Sequence, residues 1–159
     1  MTLTATKATH RHRPVSVTTM TWLLAVLGIG AVGGGWFMIF GIGGESMLPD
    51  AYLDSLPLVH SWILPGLILM IGFGFGSLLT GYGVLFRPTW RWARPVEHLS
   101  SHHWSWLAAI LLGAGQMVWI GIEVVSIPFS LLMPTFGLVG LALFVLPLTG
   151  QVSGYLRIT

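Results

Sequence analysis

The sequence predicts an all-α polytopic membrane protein, a bundle of four transmembrane helices with both termini cytoplasmic. Three observations predict it. Only 12 of the 159 residues are Asp, Glu, Lys or Arg, 8% of the chain, against about 25% in an ordinary soluble domain. Four long runs, 14–44, 55–86, 98–122 and 124–156, contain none of these residues. All seven Lys and Arg fall on one side once the runs are threaded back and forth across a bilayer. With 54% apolar residues and a mean hydropathy of +0.82, the chain has too few charges to cover a water-soluble surface. This excludes a soluble enzyme, a disordered tail protein and a nucleic-acid binder. The absence of cysteine excludes disulfides, thiol redox pairs and thiolate metal sites.

Each element follows in chain order. Residues 1–13 are Thr-rich and basic, with Lys7, Arg11 and Arg13, and read as a disordered cytoplasmic tail that touches anionic lipid heads. Residues 14–159 form a single transmembrane domain. Its first helix runs from about Met20 to Gly43. The apolar run outlasts the 7 to 15 residues of a signal peptide, so it reads as an uncleaved first span. The connection Glu45 to His60 carries Glu45, Asp50 and Asp54 and no Lys or Arg, which places it outside. Within it, Pro49 to Leu56 predicts a short interfacial helix. The second helix spans Ser61 to Phe86. The connection Arg87 to Ser101 is rich in Arg, Trp and His and lies inside, where Trp90, Trp92, Trp104 and Trp106 fit an aromatic belt. Trp62 and Trp119 belong near the outer boundary. The third helix runs from Trp104 to Val125. A tight outer turn with Pro128 leads into the fourth helix, Leu131 to Val152. Each span exceeds the roughly 18 to 20 apolar residues that cross a hydrocarbon core of about 30 Å.

The glycines recur at helical spacing. Gly30 and Gly34 on helix 1, and Gly72, Gly76 and Gly83 with Thr80 on helix 2, each share a face. Small residues at this spacing let backbones approach closely, so these positions are assigned to helix packing. A weak internal repeat pairs Gly33, Gly35 and Gly41 with Gly113, Gly115 and Gly121, and Ser61 and Pro65 with Ser130 and Pro134. It would relate the two helical hairpins by a pseudo-two-fold axis along the membrane normal.

Helix 3 carries the polar groups. Ser105, Ala109, Gly113, Gln116, Ile120 and Glu123 share one face, with Gln116 near the midplane and Glu123 about 10 Å further out. A carboxylate inside a membrane is a functional candidate, because burying it is costly. Gln116 and Glu123 are the candidate polar relay. The plainer alternatives stand ahead of it: an interfacial Glu123 within reach of water, and a Gln116 that bonds another helix. His98, His102 and His103 cluster before helix 3, and His10 and His12 lie in the tail. No pattern of three or four zinc ligands accompanies them, so interfacial, lipid-facing histidine is the preferred reading and no metal is assigned. His60 could pair with Asp50 or Asp54. No motif for serine hydrolysis, phosphate binding or metalloprotease action is present.

The segment Ser61-Trp62-Ile63-Leu64-Pro65-Gly66-Leu67, the glycines of helix 2, and Trp119-Ile120-Gly121-Ile122-Glu123 further on resemble a group of small four-span bacterial integral membrane proteins. The resemblance covers roughly residues 33–150 and implies the fold and a place in the bacterial inner membrane. It brings no biochemical activity with it. Small multidrug transporters resemble the chain poorly, since their essential carboxylate lies in helix 1, which has none here. The function expected is that of a non-enzymatic accessory or scaffold subunit without cofactors. Its partners would be the bilayer, a larger membrane protein or further copies of itself, and no nucleic acid. The alternative is a small transporter or channel component that uses Glu123 and Gln116. A lipid-modifying enzyme is the weakest reading, because no catalytic set is evident.

Overall fold

Proline and glycine shape this helical chain at nearly every point where it departs from a straight rod. The computed structural model describes residues 13–41, 61–126 and 128–158. The tail up to His12, with His10, and the connection 42–60, with its interfacial helix and His60, lie outside the described residues. Among those described, α1 is Val15–Phe40 and α2 is Ile63–Phe86. A short α3 spans Arg94–Ser100. Then come α4, Trp104–Ser126, α5, Leu132–Val145, and α6, Gly150–Leu156. No strand occurs among the described residues. One isolated antiparallel bridge joins His102 to Arg157.

Three of these helices, α1, α2 and α4, are each long and apolar enough to cross a membrane. The fourth expected span departs from its prediction. It does not run unbroken to Val152. After α5 the chain tightens into a 3-10 turn, Leu146–Leu148, and α6 then departs at 66°. Pro147 has no N–H to continue the ladder, and Thr149 takes an extended conformation, φ −67° and ψ 144°. If the bent pair counts as one span, the total is four. Leu132–Leu148 is roughly 25 Å long at 1.5 Å per residue, at the short end of what a bilayer accepts.

The connection expected between helices 2 and 3 also contains structure. Arg87 caps α2 in the left-handed region, with φ 50°, and Ser101 ends α3 in the same way, with φ 55°. Between them a 3-10 turn, Arg91–Ala93, feeds α3, whose second residue is Pro95. Proline is tolerated in a first helical turn, where N–H groups lack partners anyway. Pro65 and Pro134 each stand third in their helices for the same reason.

Packing along α1 follows a heptad-like seam. Val17, Met20, Leu24, Leu27 and Ala31 are all buried, at alternating spacings of three and four. Towards its far end the seam gives way to glycine. A Cβ at Gly35 would stand 2.5 Å from the Gly66 carbonyl oxygen and 2.7 Å from the Met70 Cβ. One at Gly74 would stand 2.6 Å from Val32 Cγ2. The α1 and α2 backbones therefore meet directly. Within α2, Ile68–Phe75 winds as a π-helix. An α-helix completes two turns in about 7.2 residues, so two glycines eight apart drift off a common face. The wider π turns bring Gly66 and Gly74 back towards α1.

The pair α4 and α5 makes an equally close contact. A Cβ at Gly113 would lie 2.7 Å from the Gly140 carbonyl oxygen and collide with the Phe144 amide. Of the glycines assigned to packing from sequence, Gly83 sits 2.6 Å (Cβ position) from the Trp104 ring, Gly30 2.9 Å from Phe136, and Gly34 3.2 Å from Leu69. Gly76 makes only ordinary contact, 3.6 Å from Leu112. Gly72 is exposed and meets nothing within 4 Å, which corrects its assignment. Besides Gly83, the closest approaches belong to Gly28, Gly35, Gly66, Gly74 and Gly113, which were not assigned to packing. The proposed repeat does not carry over into packing. Gly33 faces open space while its counterpart Gly113 makes the tightest contact of all.

Candidate functional site

Polar side chains gather at two places, one at each end of the bundle. The first is the basic end, where Arg87, Arg91, Arg94 and Arg157 lie. Here two of the three histidines, His102 and His103, are held by hydrogen bonds within the protein. His103 is 4% exposed. Its Nε2–H donates to the Pro88 carbonyl at 3.2 Å and its Nδ1 accepts from Ser105 Oγ at 2.8 Å. Because a carbonyl can only accept, this fixes the neutral tautomer. His102 is the reverse: Nδ1–H donates to the Ser100 carbonyl at 2.6 Å, and Nε2 accepts from Ser153 Oγ at 2.9 Å. Its ring stacks on Trp106, 4.5 Å between centroids.

The lipid-facing reading of these two histidines is thus corrected, since all four ring nitrogens are engaged by protein partners. His98 alone of the three is exposed. Among the described residues no group of three or more His, Cys, Asp or Glu is arranged to hold a metal ion. Burial holds the His103 pKa below its ordinary value, opposed by the Pro88 carbonyl and by Glu97, whose Oε1 lies 3.8 Å away. The aromatic belt is partly folded inward: Trp104 is buried and stacks on Trp90 at 5.1 Å, while Trp92 stays exposed.

The second place is a partly open cavity of about 260 Å³ near the far end, lined by residues of α1, α2, α4 and α5. Its wall is largely apolar, from Leu27, Ala31, Leu69, Met133 and Phe136, with Gln116 and Glu123 contributing the polar side chains of α4. The residues lie seven apart, so about 10.5 Å separates them along one helix face. The buried face of α4 comprises Trp104, Ser105, Ala109, Gly113 and Gln116, which continues towards Glu123.

Glu123 is half-buried. Its Oε1 accepts a hydrogen bond from Trp119 Nε1 at 2.7 Å, one helical turn earlier. The Trp119 ring rests against Phe73 at 5.9 Å and 60°, which holds the donor in place. Gln116 is 3% exposed, and its Oε1 has no hydrogen-bond donor among the described residues. An unsatisfied buried carbonyl costs about 1–3 kcal/mol. Gln116 therefore does not make the interhelical bond expected of it through this atom. Instead its Cβ and Cγ pack against Gly140, with 3.1 and 3.0 Å to a Cβ built there.

Below Gln116, towards the basic end, the interior closes. Gly113 meets the α5 backbone, and then Leu24, Val84, Ala109, Leu143, Val152 and Leu156 form a continuous apolar core. Sequence reasoning found Gln116 and Glu123 but missed the cavity between them. It also missed Trp119 as the donor to Glu123, although the spacing of four on a helix was the available signal. Compared with protein-family models, curated proteins and solved structures, the chain finds no match.

Proposed function

We propose that this chain is a multi-pass membrane protein with four spans and both termini cytoplasmic, acting without catalysis as an accessory or scaffold subunit of a membrane complex. The observation that carries this reading is the closed interior between the cavity and the basic end. Among the described residues, Gly113 packs against Gly140 and an apolar core follows, with the hydroxyls of Ser77, Thr80 and Ser105 buried beside it and no charged side chain buried there. Support for the even number of spans comes from one end of the bundle. Ser16 Oγ at the start of α1 donates to Gln151 Oε1 of α6 at 2.9 Å, so the described beginning and end of the chain meet. The basic residues gather there, as the positive-inside rule expects of a cytoplasmic face. Leu111, Val118, Ile122 and Val125 on α4 and Leu138 on α5 face outward, an apolar surface for lipid or for a larger membrane protein.

The alternative, a small transporter component, is favoured by the unpaired Gln116 carbonyl and the half-buried Glu123 in one cavity. Affinity purification at native level in a mild detergent, followed by mass spectrometry, separates the two. A stoichiometric membrane partner is the expected result. A clean homo-oligomer with nothing bound to it would contradict the accessory role and favour transport.

A further inference from the structure

The cavity between α1, α2, α4 and α5 is a built site whose polar atoms are not all used by the protein. Gln116 is nearly fully buried, lines the cavity, and has a carbonyl without a donor among the described residues. Glu123 presents a carboxyl group at the other end of the same cavity. Its Oε1 is engaged by the Trp119 indole N–H, and no other hydrogen bond to it is present among the described residues. The remainder of the wall is hydrocarbon and aromatic ring apart from Ser130, whose Oγ accepts from the Leu132 amide at 3.3 Å.

These features define the ligand chemistry. A carboxylate beside an indole ring attracts a positive charge, through Coulomb attraction and the face of the ring. It repels anions. A hard metal ion needs about six or more oxygen ligands, or keeps much of its water. Two side-chain oxygen groups about 10 Å apart along the helix in an apolar wall offer neither. The charge is therefore organic. Its body must be apolar, to fill the wall around Leu27, Ala31, Met133 and Phe136. An apolar cavity of about 150 Å³ holds a benzene molecule. A volume of about 260 Å³ holds an aromatic ring with a short arm. At the end away from the charge, Gln116 asks for an O–H or N–H donor.

We infer that the cavity binds a small aromatic amine, with its ammonium at Glu123, its ring against the apolar wall, and a hydrogen-bond donor at the far end facing Gln116. This inference rests on the reading of α4 as a membrane span, and it deepens that reading by naming the ligand class. The site has the composition of a small-molecule pocket, mostly apolar with few converging polar groups. It holds for an accessory subunit and for a transporter alike.

Three probes test it on the whole protein in lipid nanodiscs, by calorimetry or by NMR of the ligand. They are tyramine, 2-phenylethylamine, which lacks the phenolic hydroxyl, and 2-(4-hydroxyphenyl)ethanol, which keeps the phenol and the two-carbon arm and replaces the ammonium with a neutral hydroxyl. The wild-type protein is expected to bind tyramine, with affinity falling at least fivefold for phenylethylamine and at least tenfold for the alcohol. Glu123→Gln should remove the preference for the amine over the alcohol, and Gln116→Leu should remove the preference for tyramine over phenylethylamine. Equal affinity of the wild type for all three probes, or no binding of any, overturns the inference. The wild-type ranking stands even if a variant folds poorly. A missing partner in the purification experiment contradicts the accessory role and leaves this ranking untouched, so the two failures are distinct.

Discussion

Individual glycines differ sharply in what they do, and spacing alone does not separate them. Gly72 and Gly113 both sit in apolar helices, yet a Cβ meets nothing at Gly72 and meets backbone at Gly113. Backbone cannot rotate away as a side chain can. Gly113→Ala is expected to destabilise the detergent-solubilised protein by about 1–3 kcal/mol through overpacking. Gly72→Ala should be neutral or stabilising by up to about 1 kcal/mol, from helix propensity. Thermal melting of the two variants beside wild type checks both. The i, i+4 pattern in the sequence reports a helix face. With 21 glycines, it does not report which face meets another backbone and which meets lipid. The polar face of α4 was legible because so few polar residues interrupt the apolar run. His102 and His103 were misread because one partner of each, Ser153 and Pro88, is distant in sequence.

His103 makes a pH prediction at the same scale. Burial lowers its pKa in the folded state, below the ordinary value of about 6.5 in the unfolded chain. In the window between the two values the unfolded state binds more protons, so stability rises with pH across it. The stabilisation is complete above about pH 6.5 and is lost as pH falls towards the folded-state pKa. The melting temperature should therefore drop as pH falls below about 6.5. In His103→Gln the drop should be smaller, and an unchanged slope in that variant would contradict the assignment.

At the scale of the elements, the three straight spans were legible from charge-free runs, and Pro14 explains why α1 starts at Val15, ahead of the expected Met20. The fourth was read as straight because hydropathy stays high through Pro147 and Thr149. The breaker was present in the sequence, and the apolar run masked it. The break has a purpose in packing: α6 turns back so that Val152 and Leu156 join Val17, Met20 and Leu24 in the core. Trp106 on α4 secures the turn by donating from Nε1 to the Pro147 carbonyl at 2.8 Å. Trp106→Phe keeps the ring against His102 and removes this bond. It should cost about 0.5–1.5 kcal/mol, read as a lower melting temperature. The short α3 was not legible, because seven residues with prolines nearby carry no apolar periodicity.

At the scale of the molecule the two ends are built differently. The basic end is stitched: the His103 amide donates to the Leu156 carbonyl at 2.8 Å, the Ile158 amide to the Ser101 carbonyl at 3.1 Å, and Ser16 to Gln151 at 2.9 Å. The far end holds the cavity. The Ser16–Gln151 bond brings the described start and end of the chain together at the stitched end. The proposed four-span topology needs α5 and the bent α6 to act as one crossing.

Cysteine labelling tests this most directly, since the chain has no cysteine of its own. Single cysteines are placed at Thr6, Ser46 and Ile158, and intact cells are treated with a membrane-impermeant maleimide. The four-span account predicts labelling at Ser46→Cys only, with Thr6→Cys and Ile158→Cys labelled after permeabilisation. Labelling of Ile158→Cys in intact cells, with Thr6→Cys protected, would mean an odd number of crossings and would contradict it.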